Sequence, residues 1–515
     1  MQPHSISALE GRVATESRSI EDVIKGIKEG TYEIQTESRL AYSGLKQQQN
    51  IAGVLETYAW LYSLETVRRT GEAYRAETDP ENRERLRRVY HHLLEGYTGR
   101  QTAPLDDELV SFEAAVTVEV DGESIPYHNV PVLIASEHDI ERRNRLQEAA
   151  LRVVEESNPK RLEILRTSLA TLEDEFGFDS YTAYNAEKKR INYSLLRSRM
   201  EDFLSETEET YAVLMGRWVE ETTGRRLGEL GSHHFSYISR VPQYDEHFRK
   251  DRLLEAYGRT LSGMGLDPAS QKNIHIDTEE RPTKNPRARC YAPDPPEEVH
   301  LLIKPVGGLE DYMAFFHEAG HAQHFGNEDP ALDYVERAVS TSNALTEIYS
   351  FLLEHLTQNR AWLTGVAGLP EETAREVAYH AELTELYFVR RYAAKLAYEL
   401  DFFEDPLEED RNRKLYASTL SAATRFVYAP ENYLNDMDPG YYSADYLRAW
   451  ITEAMLRRHL EDTCGEDWFA RPEAGELLRG LWATGESKEN EQVARMIGYE
   501  PFDTTYLAEQ FLGLK

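Results

Sequence analysis

Cysteine is scarce: the 515 residues contain two, Cys290 and Cys464, far apart in the chain. That excludes a disulfide framework and fits a reducing compartment. Positive charge is also short. Lys and Arg number 58 against 91 Asp and Glu, a formal net charge of -33. A chain so acidic is a poor partner for nucleic acid or an anionic membrane surface. No apolar run approaches the length of a membrane span. Met1–Ser19 lacks the apolar stretch of a secretory signal, so the expected location is cytoplasmic. Low-complexity tracts and fixed-period repeats are missing too, which argues against a solenoid.

What remains is an ordinary soluble composition, 41% hydrophobic and 29% charged. The length suits two or more lobes. Up to about residue 110, apolar positions recur at three- and four-residue spacing, as in Ile51–Ala59 and Arg83–Leu94. Val116–Val120 and Glu123–Tyr127 flank Asp121-Gly122, a pair suited to a two-residue hairpin turn. Helical patterning resumes from Glu137 to about Leu266, with breaks near Phe176-Gly177 and Gly228–Ser232. The texture changes over Asp277–Pro305, which is rich in proline. Within it Val299–Ile303 reads as a strand, either an edge that a substrate could extend or an ordinary sheet member. Gly307-Gly308 then makes a turn before a helix that stops at Gly326-Asn327. Further helices are predicted over 343–356 and 383–400. The fold class is therefore mainly α, with a small sheet beside the central motif.

That motif is His317-Glu-Ala-Gly-His321. On a helix, positions i and i+4 share a face, so both imidazoles can reach one metal ion. Glu318 leaves the helix about 100° further round. There it can serve a metal-bound water as general base rather than bind the metal. The three fixed residues arise by chance in ~5% of such chains, so context must carry weight. Gly320 supplies some. Glycine inside a helix costs about 1 kcal/mol against alanine, and close approach of a neighbouring backbone would account for it.

A catalytic zinc needs a third protein ligand and an open position. A third histidine ten residues after the first, with glycine at seven, is one arrangement. Here those positions are Asn327 and His324, so it fails. The downstream acids are Glu328, Asp329, Asp333, Glu336, Glu347 and Glu354. Glu347 sits within a strong helix pattern, Ala344–Leu356, and is assigned as the ligand. Glu354 lies seven residues on, along the same face, where it could hold an imidazole or be an ordinary surface charge. The expected ion is one Zn²⁺ per chain, on His317, His321 and Glu347, although two His and one Glu also suit Mn²⁺ or Co²⁺.

These residues resemble the thimet oligopeptidase and oligoendopeptidase family of zinc metallopeptidases. The likeness rests on 317–321 and on Glu347-Ile-Tyr-Ser350-Phe-Leu-Leu-Glu354. It is extended by Asp277-Thr-Glu-Glu-Arg281-Pro-Thr-Lys284 and by Gly440-Tyr441-Tyr442-Ser443-Ala444-Asp445-Tyr446-Leu447. Together they span about residues 250–460. The resemblance implies a two-lobed helical fold with a deep central channel. An N-terminal lobe would cover 1–200, with the hairpin near 116–127. A catalytic lobe would cover 201–515, carrying the zinc site (317–354) and the tyrosine loop (440–447). It also implies hydrolysis of internal bonds in short peptides, with Tyr446 first and Tyr442 second as oxyanion donors and Tyr441 a third option. Many relatives have a histidine shortly before the tyrosine loop. Asp401–Asp445 contains none, so either another donor replaces it or the tyrosines act alone.

Three other readings compete, of which a zinc hydrolase acting on a non-peptide bond is disfavoured by the tyrosine loop. A metallocarboxypeptidase of related fold would need a cation, such as Arg281 or Lys284, for the substrate's terminal carboxylate. A non-catalytic zinc-containing peptide-binding protein would leave Glu318 without a purpose.

Overall fold

A computed structural model describes residues 18–514. The stretch Met1–Ser19, read above for a signal, lies almost wholly outside them. The described chain is mainly helical, with two small sheets. Among the described residues no helix is long and apolar enough to cross a membrane.

Six helices concern the site. They are α1 (Ile20–Tyr42), α2 (Pro80–Ala115), α3 (Leu309–Gly326), α4 (Ala344–Glu354), α5 (Glu371–Phe402) and α6 (Tyr442–Cys464). Ser19 and Asp22 form a capping box that starts α1. Asp79 caps α2, with Pro80 at its first position. The predicted hairpin forms after α2, as β1 (Thr117–Val120) and β2 (Glu123–Pro126). Asp121 and Gly122 both take positive φ, 55° and 83°, as a type I′ turn requires.

The second sheet has three strands, β3 (Ile274–Asp277), β4 (Arg289–Asp294) and β5 (Glu298–Leu302), in the order β3-β5-β4. β3 runs parallel to β5 and β4 runs antiparallel to it. Val299–Ile303 is therefore the middle of the sheet, and the edge-strand reading of it is corrected. With neighbours on both sides, β5 has no free backbone groups to offer a substrate. β3 and β4 form the two edges, and the edge that concerns the site is β4. It tolerates Pro293 because its pairing shifts between Tyr291 and Asp294 and because an edge strand needs fewer donors.

The free side of β4 is covered by α1. The backbone N–H of Ala292 donates to Gln35 Oε1 at 3.0 Å, and Lys28 pairs with Asp294 at 2.9 Å. Tyr32 donates to Glu298 and Tyr42 to the Arg287 carbonyl, both at 3.1 Å. α3 packs against β4, β5 and α4. Its start is held by Asp311, whose carboxylate accepts the N–H groups of Val306 and Gly307 at 2.6 Å each. Phe315, Phe316, Ala319 and Ala322 on α3 and Ile348 and Leu352 on α4 belong to one large apolar core.

Candidate metal centre

α3 and α4 cross at Gly320. A Cβ there would lie 2.2 Å from the Tyr349 carbonyl oxygen and 2.5 Å from Ser350 Cα. No side chain fits, which is the close approach that a glycine inside a helix called for. The crossing brings one face of each helix together, with His317 and His321 on α3 and Glu347 on α4.

The donor atoms of these three residues all lie within 4.8 Å of one another. Nε2 of His317 is 3.4 Å from Glu347 Oε2, and Nε2 of His321 is 3.7 Å from the same oxygen. Both are too long for good hydrogen bonds. A tetrahedral ion about 2.0–2.1 Å from each donor sets donor separations of roughly 3.3–3.4 Å, so the trio fits one small cation.

Each donor but one is held from behind. Glu354 Oε2 lies 2.8 Å from His317 Nδ1, which turns Nε2 inward. Glu347 is almost fully buried. Its Oε2 accepts from Ser350 Oγ and its Oε1 from Tyr442 Oη, both at 2.9 Å. The exception is His321, whose Nδ1 is buried without a partner among the described residues. Burial opposes charge on His317, but the hydrogen bond and charge of Glu354, with Glu347 and Glu318 nearby, outweigh it and raise its pKa to about 9. Burial pushes His321 well below the ordinary range, towards the neutral form that binds a metal.

Glu318 stands apart from the donor trio. Its Oε2 accepts the Cys290 N–H of β4 at 2.7 Å, which fixes the carboxylate between α3 and the sheet. Burial raises its pKa, with His317 and the Cys290 N–H pulling the other way. A carboxylate so placed is a better proton acceptor than an exposed one.

The chain matches no family model, and no curated protein matches it.

The tyrosines divide by position. Tyr442 and Tyr446, both on α6, lie against each other with ring centroids 4.7 Å apart. Burial raises both pKa values, and the charge of Glu347 adds to it, so both remain protonated donors. The Tyr442 hydroxyl is committed to Glu347. Tyr446 packs among Phe351, Tyr392 and Trp450. Tyr441 is fully buried and bonds Thr182 at 2.6 Å, packed against Tyr181 and Tyr193. His324 is also fully buried, against Tyr349 and Phe325, and outside the donor trio.

The cations proposed for a terminal carboxylate are occupied. Arg281 bonds Asp277, Glu279 and the Ser43 carbonyl, and Lys284 is buried on Asp277 at 2.9 Å.

One support escaped sequence reasoning. Asp445 is buried, pairs with Lys189 at 2.8 Å, and accepts from Ser342 Oγ at 2.8 Å and the Asn343 N–H at 3.2 Å. It thereby ties the start of α4 to α6. The only sequence signal was an acid inside an otherwise aromatic loop.

Proposed function

We propose that the protein is a zinc-dependent oligopeptidase of the thimet oligopeptidase and oligoendopeptidase type, acting on internal bonds of short peptides. The observation that carries this reading is the convergence of His317 and His321 on Glu347, with Glu318 beside them and Glu354 behind His317. In the proposal one Zn²⁺ sits on those three donors, and the site opens to a channel between two helical lobes.

The ion, when bound, supplies a Lewis acid for the scissile carbonyl and for a water molecule. Glu318 takes the proton from that water at its carboxylate and passes it to the leaving amine. Tyr446 donates its phenolic proton in a hydrogen bond to the carbonyl oxygen as negative charge grows there. Tyr442, through Glu347, sets the orientation of the third donor, and its hydroxyl can turn to the oxyanion if that bond is exchanged. Glu354 keeps His317 in one tautomer. In the proposal the enzyme is cytoplasmic, and its acidic composition fits the lack of nucleic-acid and membrane partners.

The test is zinc content together with cleavage of a short, internally quenched peptide blocked at both ends. The expected result is about one zinc per chain in both wild type and Glu318→Gln, with cleavage lost only in the variant. Zinc without cleavage in either would sink the peptidase reading. A protein that binds no metal would sink the site itself.

A further inference from the structure

Beside Glu318 lies a cavity of about 970 Å³ between α1, the segment after it, and β4. Gln35, Tyr42, Gln47, Gln48, Gln49 and Arg289 line it, and no Asp or Glu does. In a chain with 91 acids, a wall of neutral amides around one cation is a distinct chemical environment. Arg289 is exposed, and its guanidinium makes no ion pair with a described carboxylate. Its recorded neighbour is the Tyr291 ring, 5.8 Å from the centroid. Arg281 and Lys284, by contrast, are paired with Asp277 and Glu279.

Placement gives Arg289 its meaning. The next residue is Cys290, whose N–H holds Glu318. The positive charge is close enough to act on both Glu318 and His321. A strand advances about 3.3 Å per residue, so Arg289 reaches groups carried within a few residues of the bond over Glu318.

We infer that Arg289, with the amides of Gln47–Gln49 around it, binds a carboxylate on the peptide close to the cleaved bond. The guanidinium fork matches a carboxylate through paired N–H donors. The carboxylate belongs to a Glu or Asp side chain or to the peptide's own C-terminus; both present the same group. The acidic remainder of the protein repels anions in general, so this one cation makes recognition positional. The inference rests on the peptidase reading for the word cleaved, and its test separates the two.

The experiment uses zinc-loaded full-length protein and pairs of short quenched peptides. Each pair differs by Glu against Gln at one position flanking the cleaved bond, or by free acid against amide at the C-terminus. Wild type is expected to favour the carboxylate member of one pair by about 10- to 100-fold in kcat/KM. Arg289→Gln should bring that ratio to about 1, and Arg289→Lys to an intermediate value, since the charge remains without the fork. Preference in the side-chain pairs assigns a Glu or Asp; preference in the terminal pair assigns the C-terminus. No preference in wild type, or an unchanged ratio in Arg289→Gln, overturns the inference. Calorimetric binding of the same pairs to Glu318→Gln, with and without Arg289→Gln, supplies a readout that needs no turnover. Carboxylate-dependent binding lost with Arg289, in a protein that cuts nothing, would keep this inference and discard the peptidase reading. Cleavage indifferent to the carboxylate would do the reverse.

Discussion

Glu318 on α3 and Glu354 on α4 both lie beside the donor trio, yet their surroundings give them different work. Glu318 is held by a backbone N–H and touches no donor atom of the trio, so its loss should spare metal binding. Glu318→Gln is expected to lower kcat by about 10²- to 10⁴-fold, the usual worth of a positioned base. Glu354 grips His317 from behind. Glu354→Gln should weaken zinc binding by about 10- to 100-fold, read by competition with a chelator, with kcat largely restored at saturating zinc. Unchanged affinity would reduce Glu354 to a helix-surface charge. Sequence reasoning reached these residues because their spacing is local: four residues on one helix, seven on another. It could not reach Asp445, whose partners Lys189 and Ser342 are remote in the chain, nor the backbone donor that Cys290 gives Glu318. Ion pairs between distant segments leave no periodic trace.

Among the elements, the crossing of α3 and α4 is the most constrained. Gly320→Ala would gain about 1 kcal/mol of helix propensity. It would also force a methyl group into the Tyr349 carbonyl, and overpacking of this kind typically costs about 1–3 kcal/mol. Steric cost wins because the obstacle is backbone, which cannot rotate away. The variant should melt below wild type without zinc and bind zinc more weakly, because α4 carries Glu347. A higher melting temperature would show that the crossing is slack. The helices and the hairpin were legible, since their periodicity and turn chemistry are strong. The three-stranded sheet was legible only in its middle strand. β3 alternates apolar and polar residues but is only four residues long, and β4 contains proline, so neither stands out as a strand. Without them β5 could be taken for an edge.

At the scale of the whole molecule, the excess of acid reaches the interior. Glu328, just beyond α3, is buried with neither carboxylate oxygen hydrogen-bonded to a described residue. Burial, reinforced by Glu486, raises its pKa to about 10 from an ordinary 4.5. The folded protein thus keeps a proton that the unfolded chain releases near 4.5. Its contribution is fully present below that value and is lost as pH climbs towards about 10. Glu328→Gln keeps the shape without the titration. The variant should therefore melt progressively higher than wild type from pH 5 to pH 9, by several degrees at the alkaline end. Parallel melting curves across that range would contradict the assignment.

His317, Glu318, His321, Glu347 and Glu354 all fall between positions 317 and 354, on helices joined by residues 327–343. Bringing them together closes only a small loop, whose entropic cost is low beside that of the long-range contacts elsewhere in the chain. The donor cluster can therefore assemble before distant segments such as α1 and α6 dock around it. A cation captured at that stage would act as a staple on the nascent core, so that metal supply would govern the yield of folded protein as well as its chemistry.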